Sequence, residues 1–214
     1  KWEGPGSSVA NFNANYSRTY SDFSNDEQRD LVTGVDFLRD FDNRTRGYAY
    51  EIGGDIDFAL GPGRMKLIGL ERFNHGTNRV DSIFIFADAS PSTGSRFAQQ
   101  SDSGERIGRA EYRWAMLGGD WQWSGEAAFN RLDNVAELFF LDPAGDFVEI
   151  PFPAGTGGVR EDRYESILSY GRPLTSKLSL QIAAGGEHST ISQTGANALS
   201  RTFQRPKGSV KAAE

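Results

Sequence analysis

Strict two-residue alternation, sustained over segments too long for an ordinary soluble strand, is the feature that most narrows what this chain can fold into. From Tyr48 to Leu60 the even positions are Tyr48, Tyr50, Ile52, Gly54, Ile56, Phe58 and Leu60, while the odd positions include Glu51, Gly53, Asp55 and Asp57. From Ile107 to Leu117, Ala110, Tyr112, Trp114 and Met116 alternate with Arg109, Glu111 and Arg113. The parity reverses from Trp121 to Arg131, where Trp123, Ala127 and Phe129 oppose Gln122, Ser124, Glu126 and Asn130. Ser176 to Thr190 repeats the scheme, with Leu178, Leu180, Ile182 and Ala184 set against Lys177, Ser179, Gln181 and Glu187. Successive side chains of a strand point to opposite faces, so period 2 assigns each segment to a β-strand with one apolar and one polar face. Weaker versions at Ala10 to Tyr20, Arg64 to His75, Glu161 to Gly171 and after Arg201 bring the tally to about eight strands, with no helix.

The connections carry a second pattern. Gly4-Pro5-Gly6, Gly61-Pro62-Gly63, Gly118-Gly119-Asp120 and Arg172-Pro173-Leu174-Thr175 are tight and built of turn residues. Between them fall polar stretches read as long loops: Ser21 to about Arg44, Gly76 to about Gly104, Asp142 to about Arg160, and Gln193 to Ser200. Short and long connections alternate. In an antiparallel up-and-down meander this puts every short turn at one end and every long loop at the other, the polarity of outer-membrane barrels. A soluble barrel shares the alternation with inside and outside exchanged. Length separates the two, because the best segments run about 11 to 15 residues, against about 5 or 6 in soluble proteins and about 9 to 11 in a tilted membrane strand. Phe58, Trp114, Trp121, Trp123 and Tyr170 sit near the turn ends, where an interfacial girdle would hold aromatic rings. The longest apolar run, Ile83 to Ala87, is far too short for a membrane-crossing helix.

Composition excludes several classes of function. Lys+Arg number 23 against 29 Asp+Glu, for a net charge of -6, which leaves no phosphate-neutralising surface and argues against nucleic acid as a partner. The cysteine count of 0 removes disulfides, thiolate catalysis and Cys-ligated metals. His75, with Glu71 near it, and His188, next to Glu187, are the only histidines. Each lies where an alternating segment meets a polar stretch and reads as a rim residue rather than a metal ligand or general base. No GxSxG, SxxK, HExxH or phosphate-loop pattern is present. The chain therefore reads as a non-enzyme without a cofactor. Its mean hydropathy of -0.53 is compatible with lipid contact, because averaging over both faces of each strand hides the apolar one.

If the alternating segments wall a barrel, their polar positions face its lumen. Glu51, Asp55, Asp57, Arg109, Glu111, Arg113 and Glu126 are the candidate lumen-lining residues. They can fix a ligand or a plug through charge-assisted hydrogen bonds, or solvate a water-filled interior and pair with one another. The Arg64 to His75 segment leaves its facing open, since Lys66 and Arg72 share one parity with Ile68 and Leu70 while Glu71 shares the other with Met65 and Leu67.

Three stretches carry a resemblance to a known family. GYAYEIGGDIDFALGPGRMKLIGLERF (residues 47–73), AEYRWAMLGGDWQWSGEAAFNRLDN (110–134) and RPLTSKLSLQIAAGGEHSTISQTGAN (172–197) resemble the barrel hairpins of TonB-dependent receptors of the Gram-negative outer membrane. RTFQRPKGSV (201–210) looks like the start of a further strand. The likeness is one of texture and wording over most of the chain. It implies a barrel of about 22 strands with a plugged lumen, of which residues 1–214 would be a single partial domain, truncated at both ends and forming an open curved sheet. It also implies energy-coupled uptake of an iron chelate, cobalamin or glycan, a location in the cell outer membrane, and lipid, a plug domain and the TonB system as partners. The plug and the coupling segment lie outside these residues, so no coupling or ligand residue carries over. On this reading the Gly76 to Gly104 and Asp142 to Arg160 stretches are the expected ligand-facing parts. Two alternatives have structural signatures. A complete small porin-like or structural barrel would pair its first strand, near Phe12, with its last, near Phe203. A soluble ligand-binding barrel would turn Trp114, Trp123 and Ile182 into a shared interior.

Overall fold

The computed structural model describes residues 2–4, 7–176, 178–195 and 198–213. Pro5 and Gly6 of the first expected turn, Lys177, and Ala196 and Asn197 lie outside the described residues. The chain forms one antiparallel sheet of ten strands: β1 (Trp2–Gly4), β2 (Ser8–Arg29), β3 (Phe37–Leu60), β4 (Gly63–Phe86), β5 (Thr93–Met116), β6 (Gly119–Leu141), β7 (Phe147–Ile150), β8 (Gly157–Pro173), β9 (Ser179–Thr194) and β10 (Ser200–Ala213). Each strand pairs with its sequence neighbour, except that β6 pairs with β8 and carries the short β7 at its far end. Eight strands are long and two are short, matching the expected all-β meander.

The strands exceed the expected length. β3, β4 and β5 each run 24 residues, and β2 and β6 run 22 and 23. Most of what reads as long loop in sequence is therefore strand. Ser21 to Arg44 is consumed by β2 and β3, leaving 30–36 as the connection, and Gly76 to Gly104 is consumed by β4 and β5, leaving 87–92. The Asp142 to Arg160 stretch contains β7 and a single 3-10 turn at Pro153–Gly155, and Gln193 to Ser200 shrinks to a few residues between β9 and β10. These segments lose their alternation in sequence because water can reach both faces of a strand that has left the apolar layer, so neither face must be greasy.

The Gly61-Pro62-Gly63 connection stands as expected, whereas Gly119 and Asp120 of the next expected turn already belong to β6, and Arg172 and Pro173 to β8. Between β3 and β4 the turn is Gly61-Pro62, with Gly61 at φ 57°, and between β5 and β6 it is Leu117-Gly118, at φ 58° and 71°. Two central residues with positive φ match the right-handed twist of the flanking strands, which favours glycine at such positions and puts Leu117 in an uncommon conformation. All the two-residue turns fall at one end of the sheet.

Register assigns every side chain to a face. Tyr50, Ile52, Ile56 and Phe58 of β3 oppose Phe73, Glu71, Leu67 and Met65 of β4, and these lie on the face that continues through Ala110, Tyr112 and Trp114 of β5. Lys66, Ile68, Leu70 and Arg72 oppose Asp57, Asp55, Gly53 and Glu51 on the other face. This resolves the open facing of β4, whose Ile68 and Leu70 are apolar residues on the charged face. The buried residues of the long strands, among them Ala128 at 0% and Ser189 at 1% exposure, all lie on the charged face. That face is the concave one, since curvature crowds the side chains it encloses. The convex face exposes Phe12 at 74%, Trp123 at 37% and Ile182 at 41%. Trp114, Trp123 and Ile182 thus point outward together, against a soluble barrel with an apolar interior.

Among the described residues the sheet stays open. β2 pairs with β1 and β3, and β10 with β9 alone, so Phe12 and Phe203 do not meet as a small closed barrel requires. Gly125 on the convex face has a packing role. The Trp123 indole lies across it and donates to Ser166 Oγ at 3.0 Å, and a Cβ at 125 would meet that ring at 2.8 Å. Two unpaired strand edges and an apolar convex face make the isolated chain prone to association in water. Produced without detergent it is expected to be insoluble; a monodisperse monomer by light scattering would contradict this account of the convex face.

Candidate functional site

The concave face is layered. Nearest the short turns it is ionic. Asp57 pairs with Arg64, Asp55 takes Lys66 Nζ at 3.4 Å and Asn11 Nδ2 at 3.2 Å, and Arg72 reaches Glu105 at 3.0 Å and Glu51 at 3.9 Å. Arg109 meets Glu111 at 2.9 Å and Glu126 at 3.5 Å, Arg113 meets Glu111 at 3.3 Å, and Arg163 meets Glu126 at 2.7 Å. All seven expected residues, Glu51, Asp55, Asp57, Arg109, Glu111, Arg113 and Glu126, share this face, and each has a charged partner. One cross-strand row reads Arg109, Glu126, Glu165, Glu187, Arg205. Three carboxylates directly opposed would repel, and the cations around them offset this: Lys207 joins Glu165 to Glu187, and Arg205 holds Glu187 at 2.8 Å.

Farther from the turns the ionic layer gives way to amides and hydroxyls. Asn78 donates to Asn43 at 2.9 Å and to Thr45 at 3.0 Å, and Gln99 donates to Asn134 at 2.6 Å. Beyond them lies an aromatic layer that sequence reading missed: Phe23, Phe37, Phe41, Phe84, Phe86, Phe97 and Phe140 all project from the concave face at the long-loop end. Phe37 packs edge-on against Phe84 at 5.4 Å. Arg39 stands among these rings, 5.1 Å from Phe41 and 5.9 Å from Phe84, with its Nε donating to Ser82 Oγ at 3.0 Å. The signal in sequence was the parity of these phenylalanines relative to the same strands near the turns, which only register reveals.

The convex face changes in the opposite sense. Near the turns it carries a stacked aromatic row, Tyr112, Trp114, Trp121 and Tyr170, with centroids 4.7 to 6.0 Å apart along the row. About eight residues farther along the strands a second aromatic set appears: Tyr16, Tyr48, Tyr50, Phe73, Phe129 and Tyr164. At about 3.3 Å per residue and a tilt near 40°, the two sets bracket a band roughly 20 Å tall. Ile52, Ile56, Leu67, Ala110, Ala127, Leu168 and Ala184 fill it.

Beyond the second aromatic set the convex face turns polar. His75 Nδ1 lies 2.6 Å from Asp102, not against Glu71, and its ring sits 5.2 Å from Tyr48. That contact holds the Asp102 carboxyl below its ordinary range. His188 opposes Tyr164 and Gln204, and Glu187 points to the other face. Asp81 is held by Arg96 Nε at 2.7 Å and Arg79 Nη2 at 2.6 Å. Burial pushes its pKa up, and the hydrogen bonds from Arg96 and Arg79 outweigh this and hold it below its ordinary value.

No family model matches the chain, and no match is found among curated proteins. Solved structures are similar at low identity. The copper transporter OprC aligns at 8% identity and a TM-score of 0.47, over 99% of this chain and 43% of that one. The unliganded ferric citrate transporter FecA aligns at 9% and 0.38, over 83% and 33%. The pyoverdine outer membrane receptor FpvA from Pseudomonas aeruginosa aligns at 10% and 0.36, over 96% and 43%. The chain spans less than half the length of each of these three.

Because the Asp81 carboxyl is held below its unfolded value of 3.8, the clamp contributes stability that is fully present above that pH. The contribution is lost as pH falls from there through the lowered folded value. Asp81→Asn should speed hydrogen exchange at the far ends of β4 and β5 at neutral pH and flatten its acid dependence. Equal exchange in the two proteins would exclude a structural role for the clamp.

Proposed function

We propose that this chain is a wall segment of a TonB-dependent outer-membrane transporter, with its convex face in lipid, its ionic concave face lining the lumen, and its far strand ends standing above the membrane. One observation carries the reading: an apolar convex band closed on both sides by aromatic girdles, opposite a continuous charged face. Lipid demands the first arrangement, because the inner strands satisfy their backbone groups within the sheet and apolar side chains meet the tails. A hydrated lumen accounts for the second. The change of polarity above the second girdle supports the same placement, since there Phe41, Phe84 and Phe97 turn inward while Asp42, Arg79, Asp81 and Arg96 turn outward.

In this placement the aromatic layer forms the inner wall of an external vestibule. Phe37, Phe41 and Phe84 offer ring faces and edges, and Arg39 offers a cation among them. Such a surface suits a ligand carrying flat apolar groups and negative charge. The seven ionic residues, already paired with one another, then serve mainly as a hydrated lining against which a plug or a passing solute exchanges hydrogen bonds.

The absence of native cysteine makes single substitutions clean probes. In the protein embedded in bilayers, Ser124→Cys and Gln100→Cys should react with a water-soluble maleimide, while Ala110→Cys between the girdles should be protected until detergent is added. Free labelling at 110 in intact bilayers would sink the membrane placement. For the vestibule, Phe84→Ala combined with Arg39→Gln is expected to weaken ligand capture about tenfold, read by uptake in cells that depend on the transporter. Unchanged uptake would remove the vestibule from the proposal.

A further inference from the structure

The concave face of β10 carries a row of cations. Alternation places Arg201, Phe203, Arg205, Lys207, Ser209 and Lys211 on that face. At about 3.3 Å per residue the row spans roughly 33 Å, from the far strand end to the turn end. β9 offers one carboxylate in return, because Ile191, Ser189, Glu187, Gly185, Ala183 and Gln181 are the residues that face the same way. The two middle cations share the acid within reach. Lys207 joins Glu187 to Glu165 of β8, while Arg205 holds Glu187 at 2.8 Å and lies over the Phe203 ring at 5.2 Å. The two outer cations, Arg201 and Lys211, make no hydrogen bond or ion pair among the described residues. Glu161, two strands from Arg201, accepts from Asn130 Nδ2 at 3.1 Å. Asp120 is level with Lys211 but three strands away, about 14 Å across the ladder. Beside the lower half of the row, Ser169, Gly171, Gln181, Ala183, Ser209 and Lys211 line part of a cavity of about 1000 Å³. Its other charged lining is Asp57 and Arg64, paired with each other, Arg113, paired with Glu111, and Asp120 and Arg172 near the turns.

Four cations in file, two of them unpaired, beside a polar cavity suit a solute that carries several negative oxygens. We propose that the concave face of β9 and β10 is a binding lane for multiply charged oxyanions, whether carboxylate or phosphate. Arg205 and Lys207 stand two residues apart, about 7 Å, so one polyanion spans both, and Arg201 and Lys211 lie about 13 Å beyond them on either side. The free cations at the two ends take up the anion through charge-assisted hydrogen bonds. Glu187 and Glu165 compete for the middle pair, which weakens the hold there and lets an anion pass along the row instead of being trapped. At the turn end the amide of Gln181 and the hydroxyl of Ser209 add neutral donors around Lys211. This inference rests on the placement proposed above, in which the concave face is the lumen, and adds the charge class of the solute and the strands that carry it.

The test uses the full chain in non-ionic detergent with isotope-labelled lysine, titrated by NMR with citrate, pyrophosphate, acetate and spermidine. Citrate and pyrophosphate should both bind and move the side-chain signals of Lys207 and Lys211. Acetate, with one charge, should bind about tenfold more weakly than citrate, and spermidine should leave these signals in place. The double variant Arg201→Gln/Lys211→Gln should weaken citrate about tenfold, and Arg201→Lys/Lys211→Arg should recover most of the affinity. Arg160→Gln, on the convex face, should change nothing. Acetate binding as tightly as citrate, lysine signals that stay fixed in citrate, or an unaffected glutamine variant overturns the lane. Binding of pyrophosphate without citrate assigns a phosphate site and overturns the broader oxyanion class. Maleimide labelling of Ala110→Cys in bilayers separates the two claims. Protection at 110 without citrate binding rejects only the lane, and free labelling at 110 rejects the placement beneath it.

Discussion

Each inner strand here finds its backbone hydrogen bonds only in the strands beside it, and the rest of the structure follows from that dependence. A helix satisfies its own backbone, but a strand in an apolar medium must be flanked along its whole length. Continuous pairing fixes the register, and register with a period of two fixes the face of every side chain. A slip of one residue would place Glu51, Asp55 and Asp57 among the exposed Ile and Trp residues and bury the apolar row in the ionic layer. The cross-strand ion pairs, the stacked Trp114–Trp121–Tyr170 row and the Trp123–Ser166 bond all reward the same register.

What was legible in the sequence is what lies between the two girdles. There one face meets an apolar medium and the other meets charge, so alternation is strong, and Tyr48 to Leu60 and Ile107 to Leu117 announce their faces unaided. β4 was ambiguous because Ile68 and Leu70 sit on the charged face beside Lys66 and Arg72, and only pairing with Asp55 and Glu51 on one side and Arg109 on the other assigns them. The outer halves of β2 to β6 looked like loops because both of their faces are polar or mixed. Within Ile83-Phe84-Ile85-Phe86 both parities are apolar, so the aromatic layer leaves no alternating trace. The seven lumen candidates were read from parity alone, whereas Glu165 and Lys207, which complete their network, lie in segments of weaker pattern, and Glu187 stood on the polar parity of Ser176 to Thr190 without being counted among the seven.

The two faces exchange character at one level of the sheet, and this ties stability to function. Below it, the ionic residues are paired across strands and hold a rigid wall. Above it, Phe37, Phe41 and Phe84 are partly exposed to the enclosed space while Asp81, Arg79 and Arg96 brace the outside. In the proposed placement, ligand contact would fall to side chains whose apolar surface is not spent on the core, and mechanical support to charges on the reverse of the same strands.

The strands are unequal: β2 to β6 run 22 to 24 residues, whereas β8, β9 and β10 run 17, 16 and 14. All share one baseline at the turn end, where Ala213 of β10 lies beside Ser179 of β9, so the far rim drops by roughly seven residues, about 20 Å along the strand direction, with β7 as a step at the edge of the drop. A wall built this way is a tall screen beside a low sill. In the proposed placement, a solute entering over the sill would face the Phe37, Phe41 and Phe84 side of the screen.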